Sequence, residues 1–325
     1  MPKKLTDLPQ NVTAYVMSDY LSEKDKSALI ATSKKTQGLF QPPRMQEMAN
    51  KLLLQVMRGE HEKAEIILKH RPELLIMTGT ATDYSGRMFA TTAFRYALWA
   101  LDTRYMCNMM LDCLPKSEQG EAITQGLLAQ FNAQVQDGLD YELNGMTIHE
   151  AHYDFLPIKA ALKTYVNEYD NWCEHNSVDA MRNQWSKVVG LAQRYFPAHV
   201  AQHYCDPDET LLQTPTFNKK TFKRSLEFNN FNSSARKFWY AAVSSTDGLG
   251  VNFGIGRSLG AASEWDWVGM QFLCMAAKRD ASFDLAALTA LCEVRTADLF
   301  PLKQRLEGPI QKPDSVPDLP WCVIS

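Results

Sequence analysis

The chain has 325 residues, of which 45% are hydrophobic and 22% are charged, and its formal net charge at pH 7 is −3. This composition is typical of a folded protein of two or three domains, and it excludes a disordered chain and disfavours a dedicated nucleic-acid binder. No apolar run approaches the ~20 residues of a membrane-spanning helix, and seven scattered cysteines without a CxxC motif indicate a reducing compartment.

Residues 1–44 predict a small helical unit. Apolar residues spaced three or four apart, from Val12 to Leu21, indicate one buried helix face. Ser22 with Asp25 three residues later is typical of a helix N-terminus, and the sequence QPPR at 41–44 predicts a helix stop. The first residues contain two lysines but no apolar stretch, so no secretory signal peptide is expected.

The pair Leu8-Pro9 is followed by Val12, Tyr20-Leu21, Asp25, Leu29, Ala31 and Ser33-Lys34. With these residues in this order, the stretch from about residue 5 to residue 44 resembles a divergent F-box. The family implication is docking onto the Skp-type adaptor and the cullin of a ubiquitin ligase. Lys26 departs from the family, which prefers an aliphatic residue there. The alternative is a plain helical hairpin that packs on the rest of the chain. The residues that the resemblance assigns to adaptor binding are Leu8, Pro9, Val12, Val16, Tyr20, Leu21 and Leu29.

Residues 45–114 predict two helix–turn–helix pairs separated by the insert IMTGTATDYSGRMFA. When the pairs are superposed, Gly59 falls on Asp102 and Leu68 falls on Leu111, which indicates an internal repeat. The pairs resemble degenerate ankyrin repeats, which bind partners. Two repeats are too few for an independent solenoid, so neighbouring segments must cap them.

Residues 115–306 predict a larger, mostly helical domain of unknown function. The part from 205 to 265 is richer in Pro, Gly, Asn and Ser, so we expect loops and a small β element there. The fold class that follows is mainly α, with a possible small β element.

Two histidine motifs offer candidate chemistry within 115–306. In HEAHYD, His149 and His152 would share one face of a helix, but the spacing is one residue short of the zincin motif. The motif HVAQHYCDPDE places His199 and His203 four residues apart, next to Cys205. These three residues are candidate zinc ligands, or a cysteine nucleophile and its base with Asp206 or Asp208 as the orienting group.

Blander interpretations compete with this chemistry. Such histidines are more often surface residues or hydrogen-bonded core residues, so we expect no metal, no cofactor and no catalytic residue. The glycine-rich stretch at 248–260 lacks the spacing and the lysine of a phosphate-binding loop. We expect it to be a loop packed near aromatic residues.

Residues 307–325 contain four prolines and predict an extended tail that ends in the sequence CVIS. Cys322 with two aliphatic residues and a terminal serine matches the C-a-a-X motif, which predicts farnesylation of Cys322 by a prenyltransferase. The alternative is that PWCVI packs onto an apolar groove of the fold. A single lipid gives only marginal membrane binding, and the balanced charges between 302 and 321 provide no obvious second signal.

Together these features resemble effectors that Legionella-type bacteria deliver into host cells. The resemblance implies secretion from the bacterium, action in the host cytoplasm, and attachment to a host membrane through the lipid. The leading hypothesis is an adaptor that recruits a host cullin–RING ligase to an unknown host protein target, so that the recruited ligase supplies the chemistry. The alternatives are an enzyme with its site in 115–306, and a lipid-anchored scaffold with no ligase link.

Overall fold

The computed structural model describes residues 20–206, 211, 215–221, 224–229, 236–238 and 276–308. Several residues named by the sequence analysis lie outside this part of the chain. They are Leu8, Pro9, Val12, Val16, Asp208, the glycine-rich stretch at 248–260, and Cys322.

The N-terminal part of the fold consists of helical hairpins interrupted by β-hairpins. Its helices are α1 (Glu23–Thr32), α2 (Lys34–Met57), α3 (His61–His70), a 3₁₀ helix (Pro72–Ile76), α4 (Ala93–Trp99), a π-helix (Thr103–Cys107), α5 (Asn108–Asp112) and α6 (Glu118–Asp137). The two helix pairs predicted for 45–114 therefore correspond to α2 with α3, and to α4 with the π-helix and α5.

The C-terminal part is also mainly helical. Its helices are α7 (Leu156–Glu174), α8 (Val178–Asn183), a second π-helix (Gln184–Val189), α9 (Gly190–Arg194), α10 (Ala198–Tyr204), α11 (Lys278–Ala297) and α12 (Leu299–Glu307). Two short strands, β5 (Glu227–Asn229) and β6 (Arg236–Phe238), pair antiparallel within the region predicted to contain a small β element.

A four-stranded antiparallel sheet has the order β1 (Gly79–Thr82), β2 (Met88–Thr91), β3 (Leu139–Leu143) and β4 (Met146–Glu150). The β3–β4 hairpin turns at Asn144 and Gly145, whose φ angles of 52° and 77° suit the tight turn that follows the twist of the strands. The mainly α fold with a small β element is confirmed, but this sheet lies outside the 205–265 region in which the sequence placed one.

The predicted helix stop at 41–44 is wrong, because α2 continues through Pro42 and Pro43. Each proline lacks an amide hydrogen and crowds the carbonyl four residues earlier, which costs about 3 kcal/mol in a helix interior. The flanking turns compensate for this cost. Ser33 and Thr36 form a reciprocal capping box at the first turn, and the last two turns place four apolar side chains in the core. These are Leu52, Leu53, Val56 and Met57.

One contiguous hydrophobic core runs from α2 to α12. Its aromatic centre lies between α4 and the sheet, where the Phe89 ring lies 4.9 Å from Trp99 and 5.1 Å from Tyr141, measured between ring centroids. Among the described residues, no helix combines the length and the apolar character needed to cross a bilayer.

Candidate functional site

The first candidate site is the helical pair formed by α1 and α2. Ser22 caps α1, since its hydroxyl accepts a hydrogen bond from the Asp25 amide at 3.2 Å. Lys26, which departs from the F-box pattern, is 6% exposed, and its Nζ donates to both carboxylate oxygens of Glu47 on α2 at 2.9 and 3.0 Å. The ion pair thus fixes α1 on α2.

Three of the predicted adaptor-binding residues lie in the described part of the chain. Tyr20 is 86% exposed just before α1, and Leu21 and Leu29 are half-buried. An aromatic side chain this exposed makes little contact with its own fold, so it is accessible to a partner.

The second candidate site is a buried polar network around the histidine motif. Its centre is Asp102, whose carboxylate oxygens accept from the two terminal nitrogens of Arg224 at 2.8 and 3.0 Å. Burial would raise the pKa of the Asp102 carboxyl, but the adjacent Arg224 guanidinium outweighs it and holds the pKa well below its usual range. Arg224 also donates to Gln202 at 3.2 Å, and Gln202 donates to the Gly59 carbonyl at 3.0 Å.

The π-helix Thr103–Cys107 connects this network to the C-terminal helices. Leu101, two residues before this helix, has a φ of 61°, a left-handed conformation that is strained for a leucine. Asp102 caps the π-helix by accepting from the Met106 amide at 3.2 Å. Arg104 then pairs with Asp298 at 2.8 Å, and the Tyr105 hydroxyl donates to the Lys219 carbonyl at 2.9 Å. The irregular turn therefore aims consecutive side chains at segments more than 110 residues away in sequence.

His199 and His203 lie on α10 as the sequence predicted, and each is 2% exposed. Arg295 Nη2 lies 3.2 Å from His203 Nε2, and since the guanidinium can only donate, that ring nitrogen accepts. Burial, followed by the charge of Arg295, lowers the pKa of His203 well below its usual value. Burial lowers the pKa of His199 to about 3, and neither of its ring nitrogens has a hydrogen-bond partner among the described residues. Both side chains are thus neutral imidazoles at pH 7.

The sequence offered His199, His203 and Cys205 as zinc ligands, or as a cysteine nucleophile and its base. Within the described ranges, no group of three or more His, Cys, Asp or Glu side chains could hold a metal ion. Cys205 is half-buried just after the end of α10. The enzyme hypothesis for 115–306 stays a prediction.

The helix considered for the other histidine motif, HEAHYD, is wrong. His149 lies on β4, where its Nδ1 is 2.7 Å from the carboxylate of Asp140 on β3, and His152 lies in the bend after the strand. The two rings therefore do not share a helix face. The sequence HEAHYD was misread because the β3–β4 pairing depends on the preceding hairpin turn, which overrides local helical preference.

Sequence reasoning missed a second buried charge, at Arg87. Asp83 Oδ1 accepts from the Ser85 amide and the Arg87 amide at 2.9 and 3.0 Å, while its Oδ2 accepts from Arg87 Nε at 2.7 Å. The guanidinium lies 4.9 Å from the centre of the Trp99 ring and 5.8 Å from that of Tyr141. This pair closes the β1–β2 turn and fills the aromatic centre, which is a structural role. The signal in the sequence was DYSGR, in which an aspartate and a glycine mark a turn.

Comparison with known proteins places the chain in a family. It is 36% identical over 290 residues to the uncharacterized protein CBUA0006 of Coxiella burnetii (strain RSA 493 / Nine Mile phase I), an overlap of 84% of this chain and 79% of that protein. The chain belongs to the CBUA0006 family. The family's C-terminal domain matches residues 157–306, from the first turn of α7 to the last turn of α12. No solved structure matches the chain. The network thus joins Asp102, outside that domain, to Arg224 within it.

Proposed function

We propose that this protein is a membrane-targeted adaptor, delivered by a bacterium into a host cell, that recruits a host cullin–RING ubiquitin ligase to a protein target. Its F-box-like N-terminal helices bind the Skp-type adaptor of that ligase. Cys322 carries a farnesyl group that attaches the chain to a host membrane. The recruited ligase performs ubiquitin transfer, and this chain contributes proximity.

The observation that carries the proposal is the exposure of Tyr20 at the start of a capped helical pair. Aromatic residues dominate the binding energy of protein interfaces when a partner covers them. The other residues of the F-box resemblance that the structure describes, Leu21 and Leu29, are half-buried and leave part of their surface for a partner.

Helix α2 connects the helical pair to the body. Its 24 residues span about 36 Å, at 1.5 Å per residue. Lys26 of α1 pairs with Glu47, and the turns of α2 that follow supply Leu52 and Leu53, both fully buried in the core. A partner bound at α1 would therefore be held by a helix that is itself anchored in the core.

The Lys26–Glu47 ion pair accounts for the departure from the F-box pattern. An aliphatic residue at this position would pack α1 onto the next helix by burial alone. Lys26 does so through its aliphatic stem and a charge-assisted hydrogen bond to Glu47. The departure thus changes the contact inside the helical pair and leaves Tyr20 exposed.

The test measures binding of the full chain to a purified Skp-type adaptor, by calorimetry or pull-down. Tyr20→Ala and the double variant Leu8→Ala/Pro9→Ala should weaken binding at least tenfold, since buried aromatic anchors at interfaces contribute about 2 kcal/mol or more. Ile66→Ala is the matched control, because Ile66 is 61% exposed on α3 and belongs to no F-box position.

Failure of the wild-type chain to bind the adaptor, or equal binding by the Tyr20 and Ile66 variants, would remove the adaptor role. Membrane attachment is tested separately by mass spectrometry after incubation with farnesyltransferase and farnesyl diphosphate. The wild-type chain should gain one farnesyl group, and Cys322→Ser should gain none.

A further inference from the structure

A surface next to the start of the tail brings together α12, the π-helix Thr103–Cys107, α5 and the loop 215–221. Arg104 connects three of these elements. Its Nη2 donates to the Asp298 carboxylate at 2.8 Å, just before α12, and its Nη1 donates to the Asn218 carbonyl at 3.3 Å. Arg305 on α12 donates to the Asn108 carboxamide oxygen on α5 at 2.8 Å. These bonds define one continuous face, which we call the α12 surface.

The α12 surface is basic, although the chain as a whole is acidic. The cations of its four elements are Arg104, Lys219, Lys220, Lys303 and Arg305, and its carboxylates are Asp112, Asp298 and Glu307. The surface therefore carries a net charge of +2 in a chain whose formal net charge is −3. Such an asymmetry favours a negatively charged partner on this face.

An apolar side chain lies within this basic surface. Phe300 is 38% exposed in the first turn of α12. Phe300 lies two residues after Asp298. The Arg104 guanidinium donates both to Asp298 and to the carbonyl of Asn218, which is followed in the chain by Lys219 and Lys220. Both lysines are exposed. The α12 surface thus combines an apolar side chain, which can enter the headgroup region of a bilayer, with exposed lysines, which attract anionic lipids.

The tail starts from the same helix. Helix α12 ends at Glu307, about 13 Å from its first residue at 1.5 Å per residue. Cys322 follows Gly308 by fourteen residues, a length of chain that spans at most about 46 Å when extended. A lipid on Cys322 can therefore enter the same bilayer that the α12 surface contacts.

We propose that the α12 surface binds the anionic phospholipids of a bilayer and provides the second signal that a single farnesyl chain needs for stable attachment. This inference rests on the membrane targeting in the proposed function. Lys219 and Lys220 provide the electrostatic attraction, and Phe300 provides a shallow apolar contact. The bilayer is favoured over a protein partner because the tail that carries Cys322 begins at the end of α12, one of the four elements of this surface.

The experiment measures co-sedimentation of the full, unfarnesylated chain with vesicles of phosphatidylcholine, with and without 30% phosphatidylserine, at low salt. Binding should require phosphatidylserine. Each surface lysine contributes about fivefold to such binding, so Lys219→Gln/Lys220→Gln should weaken it by about twenty-five-fold. Phe300→Ala should weaken it further. Lys24→Gln/Lys34→Gln is the control, since it removes the same charge from exposed positions of α1 and α2.

If both double variants lose vesicle binding equally, the effect depends on net charge alone and the assignment of the surface is overturned. Equal binding to vesicles with and without phosphatidylserine would overturn it as well. The same binding measurement on the farnesylated chain distinguishes this proposal from the proposed lipid anchor. If Cys322 cannot be farnesylated while the lysine variants still lose binding, the anchor fails and the surface stands. If farnesylation alone gives full binding that Lys219→Gln/Lys220→Gln does not change, the second signal is refuted.

Discussion

His199 offers a direct measurement of the buried network. The side chain is 2% exposed on α10, and neither ring nitrogen has a hydrogen-bond partner among the described residues. Burial is the main cause that lowers its pKa to about 3, and the cations Arg224 and Arg295 lower it further while Asp102 opposes them. Folding therefore requires this imidazole to stay neutral.

The sign of the pH dependence follows from proton counts. In the unfolded chain His199 titrates near its ordinary pKa of 6.5, so between pH 6.5 and about 3 the unfolded chain holds a proton that the folded chain does not. The free energy of unfolding then falls as the pH falls, by about 1.4 kcal/mol per pH unit, or about 2 kcal/mol between pH 6.5 and pH 5. His203 acts in the same direction, since its pKa is also lowered.

Replacing His199 with leucine should remove its share of this acid sensitivity. At pH 7.5 the free energy of unfolding of His199→Leu should stay within about 1 kcal/mol of wild type, because an apolar group of similar size replaces an unpaired buried imidazole. At pH 5 the variant should gain about 2 kcal/mol relative to wild type. Urea denaturation of the full chain at several pH values, followed by circular dichroism, measures both quantities.

The control is His70→Leu, at an exposed position in the last turn of α3, which should leave the slope of stability against pH nearly unchanged. An acid slope that is the same in wild type and His199→Leu would refute the reasoning, because it would mean that the folded chain takes up the proton at His199 without cost.

Two further substitutions test the buried ion pairs. Asp102→Ala should lower the free energy of unfolding by about 3–5 kcal/mol, since it leaves the Arg224 guanidinium, only 11% exposed, without its carboxylate. The exposed pair of Asp140 with His149 supplies the comparison, and Asp140→Ala should cost less than about 1 kcal/mol in the same denaturation assay. Lys26→Leu should keep or raise the thermal midpoint, because an apolar side chain replaces a largely buried ammonium. The same variant should keep adaptor binding if α1 belongs to an F-box. A lower midpoint together with weaker adaptor binding would contradict the assignment.

The helical character of the fold was predictable because it depends on local periodicity. Ser22 caps α1 as its spacing to Asp25 suggested, and His199 and His203 share a helix because residues four apart face one side. The sheet was not predictable in the same way. Strands β1 and β2 have only four residues each, so a period of two hardly develops before the strand ends.

The continuous helix α2 shows where a local rule fails. Pro42 and Pro43 have an intrinsic cost in any helix, and a sequence pattern registers that cost alone. The compensating contacts are made by residues such as Leu52 and Val56, whose partners in the core come from distant segments. Tertiary packing decided the outcome, as it does for most helices in proteins.

The buried network could not be read from the sequence because its partners are far apart. Asp102 and Arg224 are separated by 122 residues, and His203 and Arg295 by 92. The motif that attracted attention, His199 with His203 and Cys205, had the spacing of a metal site but not its surroundings. Guanidinium groups occupy the space near the rings, and positively charged neighbours disfavour a bound cation.

The network also explains how the proposed binding surfaces could act together. Asp102 and Arg104 lie two residues apart at the start of one π-helix. The first binds Arg224 of the family's C-terminal domain, and the second binds Asp298, just before α12. Gln202 connects the same network to Gly59, just after the end of α2. Hydrogen bonds and the backbone of the π-helix thus connect the segment just after α2 to Asp298, just before α12. Because breaking any of these buried bonds is costly, a ligase bound at α1 and a membrane bound at α12 would be held in a fixed relation.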